Sequence, residues 1–321
     1  MIDLRHHVVS LVAVLVALAV GVTLGAGPLR EPVEAVASSA DLQERAETAT
    51  AERDRARTAV AALDRAAATL AARAAAGSLE DSRVLVVALP GAPASQVARL
   101  SETVGAAGGE VTATLRLGQA WVDPARAPLL SSVAAQVEPL VADGVAPADP
   151  VLLGAGLATA LLAPPAGEEA PSSGTVGTVL GLLTGGELGA LEVHDGEAAP
   201  EPADAVLLLA GPVDDLAAAG TWVDVVTGLA ARGPVVVAED VVPVAATGVQ
   251  PPPEAASVVV QLRRRAAEDP AGPLGHVSSV DTLGAEVGRW SAVLAVAGAG
   301  EGRHGGYGLL DSADGPVPAT G

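Results

Sequence analysis

The pattern of apolar and polar positions divides the chain into three unlike stretches. From residue 8 to residue 29 it reads VVSLVAVLVALAVGVTLGAGPL, with no charged side chain between Arg5 and Arg30. At about 1.5 Å per residue such a helix spans a hydrocarbon core of roughly 30 Å. It is too long for a cleaved signal peptide, whose apolar stretch runs about 7 to 15 residues, and Pro28 disfavours cleavage after Gly27. Arg5, with His6 and His7, precedes the run, and Glu31 and Glu34 follow it. By the positive-inside rule the N-terminus is then cytoplasmic and the rest of the chain is extracytoplasmic.

A second pattern follows. Leu42, Ala46, Ala49, Arg53, Ala56, Val60, Leu63, Ala67, Leu70 and Ala74 step alternately by four and three, the a/d seam of a coiled coil. The spacing predicts a stalk pairing two copies of the chain in parallel, ended by Gly77 and Ser78; a single Ala-rich helix lying on its own domain is the alternative.

Beyond the stalk the pattern is that of an α/β domain. RVLVVAL at 83–89 is a continuous apolar run, as in a strand covered on both faces. A turn with Pro90, Gly91 and Pro93 leads to a helix near 95–106 and a strand at 110–117, a βαβ unit. A similar unit recurs in the strand from Asp204, the helix near 213–231 and the strand at 234–240, which suggests two related halves of one mainly parallel sheet. Helices are expected near 128–140, 150–162 and 175–183, and a short strand from Leu191. SVVVQLRRR predicts a short helix with Arg263, Arg264 and Arg265 on its exposed end, and residues 275–281 a last strand before a helix to about Ala299. The resulting division is an anchor at 1–30, a coiled-coil stalk at 31–80, an extracytoplasmic α/β domain at 81–310 and a disordered Gly- and Pro-rich tail at 311–321.

Composition narrows the chemistry. Net charge is -20, hydrophobic residues make up 50% and aromatics 1%, so the core is built from Val, Leu and Ala without Phe. All 18 basic residues are Arg, the bias of GC-rich codons. The acidic excess excludes nucleic acid, which is bound by clustered basic side chains. With no Cys there is no disulfide, no thiolate metal site and no Cys nucleophile. The turns after the two leading strands carry prolines in place of the free N–H groups that cradle phosphate and hold no G-x-G-x-x-G string, and no P-loop or G-x-S-x-G string occurs. No nucleophile and base pair can be nominated, so the chain is not read as an enzyme, and no catalytic or cofactor-binding residue is assigned.

The metal-ligating candidates are sparse. His276, Asp281 and His304 could converge at one sheet edge if the fold returns the C-terminal segment to it. Asp281 also stands where a strand yields to a helix, which suits a helix cap. His194 at a strand end and the adjacent His6 and His7 are read as solvent-facing and interfacial.

The opening string MIDLRHHVVSLVAVLVALAVGVTLG, the VLVVALPGA strand and turn, VSSVD before a helix, and the closing H-G-G-Y-G together resemble the actinobacterial copper-transporter family, typified by a mycobacterial outer-membrane copper-efflux channel protein. Where that family's VSSVD-like stretch continues with Asn, this chain has Thr282. The resemblance implies copper homeostasis or efflux with the chain as a channel component, copper as a transported ion rather than a cofactor, and an outer-membrane location, against the inner-membrane anchor that the apolar run and its flanking charges favour. The expected partners are membrane lipid, a second copy through the stalk, and other envelope proteins. A membrane-tethered interaction module without metal transport is the alternative.

Overall fold

In the computed structural model the described residues are 39–141, 145–146, 148–164, 167–168, 170–185, 189–194, 200–241 and 256–319. The expected membrane span lies outside them, and among the described residues no helix is long and apolar enough to cross a membrane. Two compact units divide after Leu70. The first holds most of α1 (Ser39–Ala75), a 37-residue helix. Its residues 43–62 are exposed apart from the half-buried Ala56, Ala68 and Ala75 are buried, and the seam positions Val60 and Leu70 are 49% and 40% accessible.

The second unit is a mixed α/β domain around one seven-stranded sheet, ordered β3-β2-β1-β4-β5-β6-β7. The strands are β1 (Arg83–Ala88), β2 (Glu110–Leu117), β3 (Leu191–His194), β4 (Ala205–Ala210), β5 (Val235–Glu239), β6 (Val277–Val280) and β7 (Gly306–Tyr307). All neighbours pair in parallel except β3, which runs antiparallel to β2. The helices are α2 (Ala94–Ala106), α3 (Ala127–Val137), α4 (Asp149–Leu161), α5 (Ser173–Thr184), α6 (Leu216–Ala230), α7 (Val258–Glu268) and α8 (Glu286–Gly300). The two βαβ units read from the sequence are β1-α2-β2 and β4-α6-β5, and they join through the β1·β4 ladder.

The uninterrupted apolar runs of β1 and β4 follow from burial on both faces. Leu85, Val87, Val206 and Leu208 point into one core with α3 to α7, and Val84, Val86, Leu207 and Leu209 into another with α2 and α8. The first core is the larger. Within it α4 is buried all round, as expected for a helix apolar on every face. A Cβ on Gly228 of α6 would strike the carbonyl of Val151, so glycine is what lets α4 and α6 approach so closely. Trp121 and Trp222 pack in this core with centroids 6.2 Å apart, and Trp121 Nε1 donates to the carbonyl of Ala190 at 2.7 Å.

Two local expectations are corrected. Arg263 is not on an exposed helix end but buried, while Arg264 is exposed and the half-buried Arg265 pairs with Asp224 at 2.5 Å. Asp281 does not cap α8, whose N-cap is Ala285. The Gly- and Pro-rich end carries hydrogen bonds as far as Gly315, whose carbonyl accepts from the N–H of Gly308.

Candidate functional site

In an open parallel sheet, ligands bind outside the carboxyl ends of the strands where the order reverses, here between β1 and β4. That crevice is filled by the chain's own turns. The N–H of Leu89 donates to the carbonyl of Leu209 at 2.9 Å. A Cβ on Gly211 would meet the backbone of Gly91 and Ala92, so the two turns lie backbone against backbone. Pro90, Pro93 and Pro212 remove further donors there. Residues 300–305 read G-E-G-R-H-G, the G-x-G-x-x-G spacing of a dinucleotide site, but they follow the C-terminal end of α8, where carbonyls rather than N–H groups project.

Polar chemistry concentrates at the other side of the sheet. Arg263 Nη1 contacts Asp281 Oδ2 at 2.8 Å, with the side chains 7% and 1% exposed. Arg263 Nε donates to Ser279 Oγ at 2.8 Å and Nη2 to the carbonyl of Tyr307 at 3.0 Å. Asp281 also accepts from the N–H groups of Leu309 at 2.7 Å and Leu310 at 3.3 Å. The cluster therefore satisfies a buried charge pair and fastens the C-terminal segment over β6. Reading by pattern missed Arg263 as a partner. The available signal was Ser279 and Asp281, two residues apart and so on one face of a buried strand, where polar groups require partners.

Glu239 is a second buried carboxyl that the sequence did not single out. It ends β5, accepting from Ser257 Oγ at 2.7 Å and from the N–H of Val259 at 2.9 Å, where α7 begins. Burial pushes its pKa above the ordinary 4.5, against the lowering effect of those hydrogen bonds.

The structure brings two of the three metal candidates together and holds the third elsewhere. His276 ends a short 3₁₀ turn just before β6, and His304 lies in the loop before β7. Their ring centroids are 5.5 Å apart with planes at 76°. Asp281 stands beyond the far end of β6, five residues from His276 and thus roughly 16 Å away along an extended strand, and it faces Arg263. His304 Nδ1 is buried without a hydrogen-bond partner. Burial, and then the neighbouring His276, hold the His304 pKa below its ordinary 6.5. His194 ends β3 opposite Thr114, and His6 and His7 lie outside the described residues. Among the described residues no three His, Cys, Asp or Glu side chains are grouped to hold a metal ion.

Comparison with known proteins supplies what this geometry does not. The copper transporters MctB of Mycobacterium bovis and Mycobacterium tuberculosis are each 35% identical to the chain over 135 residues. That match covers 41% of this chain and 43% of theirs, so it spans less than half the length of these curated relatives. The model of the family described as "Copper transport outer membrane protein, MctB" matches residues 1–318. The chain, matched from its first residue almost to its last, therefore belongs to the MctB family.

Proposed function

We propose that this protein serves copper homeostasis in the cell envelope, with copper as cargo rather than cofactor and no catalytic step of its own. The observation that carries this reading is family membership across residues 1–318. In this reading the apolar run at 8–29 anchors the chain with its N-terminus in the cytoplasm, and the α/β unit lies outside. β1 and β4 are buried on both faces rather than turned toward lipid, which supports a soluble accessory unit over a pore wall.

The exposed seam positions of α1, Val60 and Leu70 among them, support pairing of two copies through the stalk. With Val60 at an a position, Glu52 falls at g and Arg57 at e, so parallel in-register helices place these opposite charges across the interface. Other envelope proteins would then meet a dimer.

Deleting the gene tests the copper reading. Lower copper tolerance and higher cell-associated copper are expected, both restored by the gene in trans. Unchanged tolerance and unchanged copper content would overturn it in favour of a membrane-tethered interaction module, which the self-filled crevice between β1 and β4 also suits.

A further inference from the structure

We infer that His276 and His304 together form a two-imidazole docking site for one copper(I) ion, a site that rests on the copper reading above. The fold builds the pair without any sequence adjacency. Parallel pairing of Ser279 with Gly306 sets the residues preceding β6 and β7 side by side, which is where the two histidines stand. Their centroid separation of 5.5 Å is a little short of what two rings need on opposite sides of one ion at bonds of about 2.0 Å, and a turn of the exposed His276 about its own torsions opens the pair to that distance.

Two observations select the ligand. The buried Nδ1 of His304 has no hydrogen-bond partner, an arrangement that a protein rarely keeps without use for the atom. No third His, Cys, Asp or Glu joins the pair among the described residues.

Zinc sites take four ligands and calcium or magnesium six or more, mostly oxygens. Copper(I), with a filled d shell, is content with two donors in line, and imidazole is a suitable donor in a chain without Cys. Arg303, next to His304, is paired with Glu301 at 2.7 Å, which balances its charge beside the site. Exposure of His276 leaves the ion open to exchange with a donor or acceptor, as cargo requires.

The test uses the full chain in detergent under reducing conditions, titrated with copper(I) against a chromophoric copper(I) chelator. One equivalent is expected to bind, at least tenfold more weakly in His276→Ala and in His304→Asn, with little further loss in the double variant. Excess zinc leaves the copper in place. Because His276 is exposed, its variant keeps the fold, which circular dichroism verifies. Equal copper(I) affinity in wild type and His276→Ala, or no binding by wild type, overturns the site and leaves edge-to-face ring packing as its explanation. Complementation separates the two levels. If deletion lowers copper tolerance and the His276→Ala gene restores it fully, the site fails while the copper reading stands; if deletion has no copper effect, that reading itself fails.

Discussion

Arg263 and Asp281, 18 residues apart on different elements, meet at 2.8 Å in the interior and there bind the C-terminal segment to the sheet. Removing one partner strands the other charge in a medium that solvates it poorly. Asp281→Ala is therefore expected to lower stability by about 3 to 5 kcal/mol. A double change of Arg263→Met with Asp281→Leu should cost less than the sum of the single changes, since no lone charge remains. Urea denaturation of the four proteins checks this, and strict additivity would count against the pair acting as a unit.

The turn over this ion pair depends on Gly308. Its φ of 135° lies in the region that favours glycine, and an added Cβ would fall on the carboxylate of Asp281. Gly308→Ala is expected to cost about 1 to 3 kcal/mol. Limited proteolysis should then cut within residues 309–315 far sooner than in wild type, and an unchanged cleavage rate would show that the turn tolerates the methyl.

Glu239 makes stability depend on pH in a direction opposite to that of a salt-bridged carboxylate. Its pKa is raised in the folded chain, so the folded state binds the proton more tightly than the unfolded one. The contribution is greatest below the ordinary 4.5, falls as pH rises from there to the raised folded value, and is flat above it. Glu239→Gln keeps an acceptor for Ser257 and Val259 but cannot ionise. Its melting temperature relative to wild type is expected to climb between pH 4.5 and neutrality. A difference that stays constant over that interval rules the explanation out.

Stalk pairing can be read directly because the chain contains no cysteine. Val60→Cys, at a seam position, is expected to form a disulfide dimer under mild oxidation, and Thr58→Cys, on the outer face of the same turn, is not. Equal cross-linking at both positions would indicate chance collision between exposed helices.

The sheet was legible because its signals are local. RVLVVAL and DAVLLLAGP are runs that only a strand buried on both faces needs, and Pro and Gly mark their ends. Arg263 was not legible, because SVVVQLRRR shows three equivalent arginines and only the position of β6 singles out the first of them. The histidines fared differently from Asp281 for a geometric reason. His276 and His304 meet because β6 and β7 pair in parallel, and the extended strand that separates His276 from Asp281 holds those two apart. Reading residues 275–281 as a strand already implied that separation.

The all-round apolar helix α4 also bears on how the chain reaches its final compartment. On the proposed reading the α/β unit is exported, and an exported unit must pass the membrane pore without any internal stretch being released sideways into lipid. At 13 residues α4 is about 20 Å long, short of the roughly 30 Å of hydrocarbon that such release requires. Under that reading a helix apolar on every face is kept too short to be held in the membrane during export.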